Sequence, residues 1–246
     1  PYQYYKKIES FGIKCEAFNP VIPFFSVVMN HRDHRKITVI DGHTGFTGGL
    51  NLADEYINKK ERFGYWKDTG IMLKGEAVWN LTAMFLTMWN AIRPTDKDFR
   101  EFMPGRYHAK NFPSDGYIQP YGDSPLDRET VGENVYLNMI NASQKYIYMF
   151  TPYLIIDNEM ITALCLAAKR GVDVRIVTPE IPDKKIIFWI TQSYYAQLLN
   201  QGVKIYQFKP GFIHAKCFVC DDKFATVGTI NMDYRSLYLH FECGVF

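Results

Sequence analysis

His34-Arg35-Lys36, four residues, Asp41, six residues and Gly48-Gly49-Leu50-Asn51 form one stretch of the chain. His214-Ala215-Lys216, four residues, Asp221, six residues and Gly228-Thr229-Ile230-Asn231 form another. Five residue types recur at identical spacing. With each type used at roughly one position in twenty, four further matches after a histidine arise by chance about once in 10⁵. The duplication decides the fold, because a repeated unit of this length implies two related halves.

The repeat extends upstream. Tyr4-Tyr5, Phe11-Gly12-Ile13-Lys14 and Phe18-Asn19-Pro20 correspond to Tyr194-Tyr195, Gln201-Gly202-Val203-Lys204 and Phe208-Lys209-Pro210. Each copy reads as a helix end, a terminating glycine and a short strand that stops at proline. The first copy then carries about ten extra residues, among them the apolar run Val21–Met29, a candidate lining for acyl chains.

The second copy shows what precedes the unit. Tyr146 to Tyr153 reads as a strand, Asp157 as the N-cap of a helix stopped by Gly171, and Val172 to Val177 as a strand. Lys184 to Asn200 reads as a helix and Val203 to Phe208 as a strand. This alternation predicts an α/β fold of two pseudo-symmetric lobes with mixed, largely parallel sheets. The expected lobes are 1–115 around the motif at 34–51, and 116–246 around the motif at 214–231. The polar Pro104–Thr130 stretch is read as the linker. Roughly seventy residues of a matching first lobe have no counterpart here, and the second lobe lacks an equivalent of Val78–Ile92. The expectation is a fragment truncated at both ends.

The motif carries phosphodiester chemistry. Residues two apart on a strand share a face, so His34 projects with Lys36 and His214 with Lys216. Asp41 and Asp221, seven residues past each histidine, fall on the other face and read as structural anchors within the catalytic motifs. Gly49 and Thr229 are expected to let the backbone approach an anion, and Asn51 and Asn231 to donate to phosphate oxygens. One imidazole can attack phosphorus while the other protonates the leaving alkoxide. The lysines and asparagines stabilise the equatorial oxygens, and no cluster of acidic metal ligands is needed. An attacking imidazole works best with its second nitrogen held by a carboxylate. Asp68 and Glu242 stand in corresponding places past the two motifs and are the candidates for that role.

Other features are bland. A net charge of +2 does not suggest a strongly basic nucleic-acid surface. Five cysteines, an odd number, do not read as a disulfide framework, and Cys217 and Cys220 point to opposite sides of a strand. No run reaches the ~18 apolar residues of a bilayer span. His31 reads as part of a polar strand entrance, and His43 and His108 as solvated. Val78–Ile92 reads as a core helix.

The paired motifs resemble those of the phospholipase D superfamily. The wording Gly49-Leu50-Asn51-Leu52-Ala53-Asp54-Glu55-Tyr56, Tyr65-Trp66-Lys67-Asp68, Thr151-Pro152-Tyr153-Leu154 and Asp233-Tyr234-Arg235-Ser236 through His240-Phe241-Glu242 is similar to bacterial cardiolipin synthases. The resemblance implies transfer of a phosphatidyl group between two phosphatidylglycerol molecules with release of glycerol, through a phosphohistidine, with no cofactor and no metal. It implies a phospholipid substrate at a membrane surface, no nucleic acid, and a bacterial cell-membrane location with spanning segments upstream. It leans towards His34 as the nucleophile. The rivals are a hydrolytic phosphodiesterase or nuclease on the same scaffold, and a non-catalytic binding relative. Two complete half-sites speak against the second rival.

Overall fold

In the computed structural model, which describes residues 4–20, 30–94, 98–107, 112–113 and 116–246, the chain opens with helix α1 (Tyr4–Glu9), closed by Gly12 at φ 81°. The first motif forms an antiparallel hairpin, β1 (Thr38–Ile40) and β2 (Thr44–Gly48). Asp41 and Gly42 make its turn at φ 54° and 65°, the left-handed backbone that tight reversals need. Strand β3 (Tyr65–Lys67) leads to β4 (Gly70–Lys74), which pairs with β2 to complete the order β1-β2-β4. Helix α2 (Val78–Ile92) lays Val78 and Leu81 against Leu73 and Val245, so its inner face ties the two halves together. Its outer face is open, with Phe85 50% exposed.

The second half begins with β5 (Pro120–Asp123) and α3 (Val131–Ala142). Then come β6 (Tyr146–Phe150), β7 (Leu154–Ile155), α4 (Asn158–Lys169) and β8 (Asp173–Pro179). Next are α5 (Lys185–Ser193), α6 (Tyr195–Leu199), β9 (Lys204–Phe208) and β10 (Gly211–Ile213). The second motif hairpin is β11 (Cys217–Cys220) and β12 (Phe224–Gly228), followed by β13 (Met232–Asp233), α7 (Tyr234–Tyr238) and β14 (Glu242–Val245).

Seven of these strands form one mixed sheet in the order β5-β14-β12-β11-β6-β8-β9. β6, β8 and β9 run parallel because α4 and the α5–α6 pair supply the crossovers that parallel neighbours require. The motif hairpin and its neighbours run antiparallel. Ile147, Met149, Leu164, Val174, Ile176 and Phe218 are at most 1% exposed in the core. Burying each such side chain contributes roughly 1.5–3 kcal/mol.

The halves meet through two equivalent parallel pairings. β3 pairs with β10, Trp66 opposite Phe212. Asp33 bridges to Phe241. In each case the strand entering one motif histidine lies beside the strand entering the other half's carboxylate.

Several expectations need correction. The strand expected over Tyr146–Tyr153 ends at Phe150, since Pro152 has no N–H to continue a ladder. The helix expected over Lys184–Asn200 divides at Tyr194. The stretch read as linker contains β5, an edge strand opened by Pro120 and paired with β14. His43 is not solvated but 6% exposed, with Nδ1 3.2 Å from the Thr44 hydroxyl. The candidate acyl lining Val21–Met29 and His108 lie outside the described residues. Among the described residues no helix is long and apolar enough to cross a membrane.

Candidate active site

Neither His-x-Lys triplet lies within a regular strand, contrary to the expectation. β10 stops at Ile213 and β11 starts at Cys217, and the first triplet likewise precedes β1. The reason is a change of partner. His214 N–H donates to the Lys67 carbonyl of the other half at 2.7 Å, whereas the Lys216 carbonyl accepts from Gly228 in its own hairpin. His34 N–H donates across to the Phe241 carbonyl at 2.9 Å. The triplet is thus the hand-over point between the inter-lobe pairing and the hairpin. Each lysine ammonium donates to the carbonyl of its own histidine, Lys36 to His34 and Lys216 to His214.

The carboxylates are exchanged between lobes. Glu242 holds His34 Nδ1 at 2.9 Å, and Asp68 holds His214 Nδ1 at 2.8 Å. Each ring is therefore fixed by an acid from the opposite half, leaving Nε2 for chemistry. His34, Asn51, His214 and Asn231 line one cavity of about 250 Å³. Asn51 Nδ2 donates to the Tyr56 hydroxyl at 2.5 Å. Asn231 is 6% exposed and its Oδ1 has no hydrogen-bond partner among the described residues, a buried amide group facing a cavity that can hold a ligand.

The remaining predicted residues lie elsewhere. Asp41 and Asp221 sit in the hairpin turns. Asp221 accepts from the backbone N–H groups of Gln144, Lys145 and Tyr146 at 2.7–2.9 Å, anchoring the entry to β6. Gly49 and Thr229, expected to let the backbone approach an anion, are not among the residues that line the cavity. Their N–H groups donate to the Thr69 and Cys243 carbonyls. Their role is beside the carboxylates. A Cβ on Gly49 would lie 2.1 Å from Asp68 Oδ1, so the glycine makes room for that acid. Thr229 instead donates its hydroxyl to Glu242.

The electrostatics of the two half-sites differ. Burial pushes His214 down to about 4, helped by the Lys216 charge and opposed by Asp68. Lys216, 1% exposed, is pushed down to about 7 by burial, against the pull of Asp68. Burial also lowers Lys36, with Glu242 opposing. Burial alone would raise Glu242, but the His240 ring, its Nδ1 3.5 Å away, and the hydrogen bond from His34 outweigh it and hold the acid at about 2. His34 keeps 24% of its side chain exposed and His214 8%.

Some cavity residues were not singled out as site residues from the sequence. Trp66 packs its ring 5.3 Å from His214, and His240 sits 5.5 Å from His34. Each stands two residues before its orienting carboxylate, so the repeat alignment contained the signal. Tyr56, Tyr153, Lys184 and Arg235 also line the cavity. Tyr56, Tyr153 and Arg235 lie in the stretches that carry the family resemblance but outside the repeated spacing, and Lys184 lies in none of them. The five cysteines are free. His34, His240 and Glu242 offer ligand atoms within 4.8 Å of one another, the metal-capable grouping among the described residues. Both Glu242 oxygens there already accept, from His34 and Thr229.

Residues 136–246 match the family described as cardiolipin synthase, PLD-like domain. A Streptococcus mutans protein described only as uncharacterized is 56% identical over 248 residues, covering 100% of this chain and 52% of that protein. A cardiolipin synthase of a Geobacillus strain is 40% identical over 245 residues, covering 99% of this chain and 48% of the relative. The chain thus spans about half the length of the curated relatives it matches. Among solved structures, the phosphatidylserine synthase of Haemophilus influenzae aligns over 87% of this chain and 57% of its own, with a TM-score of 0.59 at 14% identity. That likeness concerns the fold. The similarity runs to bacterial cardiolipin synthases over nearly the whole chain, and to the PLD-like domain family over residues 136–246.

Proposed function

We propose that this chain carries the catalytic centre of a phosphatidyltransferase that makes cardiolipin from two phosphatidylglycerol molecules and releases glycerol. The observation that carries the reading is the exchanged pairing, His34 with Glu242 and His214 with Asp68, opening into one cavity. Two lobes, 1–115 and 116–246, each supply one histidine and the other's acid. The substrate is a phospholipid drawn from a bacterial membrane surface.

In the first step His34 Nε2 attacks phosphorus. A P–N bond forms, the P–O bond to glycerol breaks, and His214, neutral in the free site and protonated once the bound anionic phosphodiester favours the imidazolium, delivers that proton to the departing oxygen. In the second, the primary hydroxyl of another phosphatidylglycerol gives its proton to His214 and attacks phosphorus, and the P–N bond breaks. Glu242, ionised far below neutrality, compensates the positive charge on the phosphorylated His34 ring. Lys36, Lys216, Asn51 and Asn231 stabilise charge on the equatorial oxygens. The test is turnover of phosphatidylglycerol by the full-length protein in mixed micelles, with lipid products resolved. Cardiolipin plus equimolar glycerol supports the reading; phosphatidate alone would replace it with a hydrolase.

A further inference from the structure

The catalytic cavity carries cationic groups that the transfer to phosphorus does not use. Arg235 lines it from the first turn of α7, and its guanidinium makes no hydrogen bond or ion pair among the described residues. Lys184 lines the same cavity, 65% exposed, with its ammonium 3.9 Å from Asp183 and over the Tyr153 ring. A guanidinium left without a carboxylate at the wall of a reaction cavity is suited to a planar, bidentate oxyanion.

The two halves differ at this point. Four residues past Asn231 stands Arg235, and four residues past Asn51 stands Glu55. Both positions open a short helical turn after the motif asparagine. Arg235 therefore lines the cavity from the second half, whereas its counterpart in the first half is an acid that is not among the lining residues. In the proposed mechanism the transfer centre is complete without Arg235, since His34, His214, Asn51 and Asn231 in the cavity wall, with the lysine behind each histidine, serve the phosphoryl group that moves. In the proposed reaction a second phosphodiester must also be held: the acceptor lipid carries its own anionic phosphate next to the attacking glycerol hydroxyl.

We infer that Arg235, with Lys184, forms the subsite for the phosphodiester of the acceptor lipid. This rests on the phosphatidyltransferase reading and adds to it a reason for preferring an anionic lipid over water or a simple alcohol. The subsite acts only after the phosphatidyl group has been loaded on the histidine. It orients the acceptor so that its free hydroxyl points at His214, and it raises the local concentration of anionic acceptor.

The experiment is a competition for one intermediate. The full-length protein is given phosphatidylglycerol micelles with 1-butanol, and cardiolipin, phosphatidylbutanol and phosphatidate are quantified together. Their ratio is set after loading, so it does not depend on how fast the intermediate forms. Arg235→Gln should lower the cardiolipin-to-phosphatidylbutanol ratio about tenfold, as expected for loss of a charge-assisted contact. Arg235→Lys should recover most of it, and Lys184→Gln should give a smaller fall. Should Arg235→Gln fail to fold, Arg235→Lys and Lys184→Gln with a salt titration carry the test, because screening must lower the wild-type ratio as well. A ratio unchanged by these substitutions and by salt overturns the subsite while leaving the transferase reading intact. Wild-type protein that yields phosphatidylbutanol and phosphatidate but no cardiolipin overturns both.

Discussion

Lys216 shows what the site asks of single residues. It is 1% exposed, it donates to the His214 carbonyl, and burial pushes it down to about 7. Between about 7 and the ordinary lysine value of 10.5 the unfolded chain binds a proton that the folded chain does not. By linkage, stability therefore rises with pH across that window. A shift of this size corresponds to a penalty on the order of 5 kcal/mol below neutrality. Chemical denaturation should show Lys216→Met more stable than wild type at pH 6.5, with the difference shrinking towards pH 10. Activity has the opposite sign. In the proposed mechanism the cation stabilises the phosphoryl oxygens, so kcat/KM should fall as pH rises through about 7, and Lys216→Met should lose turnover by ~10²-fold or more. A Lys216→Met variant less stable than wild type at pH 6.5 would mean that the buried ammonium is compensated by contacts absent from this account. The histidines act as one unit: His34→Ala or His214→Ala should each cost at least ~10³-fold in steady-state turnover, and the double variant little more.

At the scale of elements, the pairing of strands explains both what was legible and what was not. The N-cap at Asp157 and the crossover helices follow from spacing and turn chemistry and are present, the second divided at Tyr194, whereas the hairpin turns at Asp41 and Asp221 were not read from the spacing. The Asp157 carboxylate accepts from Met160 N–H at 2.8 Å as an N-cap should. The histidine–lysine and carboxylate positions were legible because the sequence states them twice. That the acids cross to the opposite lobe was not legible, since a repeat alignment fixes correspondence within a copy and says nothing about which copy a side chain meets. β5 was missed because a Pro- and Gly-bearing strand gives little periodic signal, and its partner β14 lies more than a hundred residues away. Arg235 stands in a stretch that carries the resemblance but was not singled out, because the repeat has Glu55 at the matching place and so does not mark it. The same scale explains the matched pairs beside the carboxylates, Gly49 with the shorter Asp68 and Thr229 with the longer Glu242. Gly49→Thr should push Asp68 off His214 and lower kcat by ~10-fold or more, while Gly49→Thr combined with Asp68→Glu should recover much of the loss. Equal activity for Gly49→Thr alone would show that Asp68 has other room.

For the molecule as a whole, the central claim is that two lobes close one centre in which a phosphatidyl group rests on an imidazole. Each histidine takes its carboxylate partner from the other half of the chain. On the proposed reading, the pairings of β3 with β10 and of Asp33 with Phe241 therefore belong to the candidate site and not only to a packing surface. The most direct measurement is a rapid quench of the full-length protein with phosphatidylglycerol labelled at phosphorus, followed by localisation of any covalent label. The account predicts an acid-labile, base-stable label on His34, formed and discharged at rates compatible with cardiolipin formation, and absent in His34→Ala. Cardiolipin formed at full rate with no labelled enzyme, and with inversion of configuration at phosphorus, would contradict it.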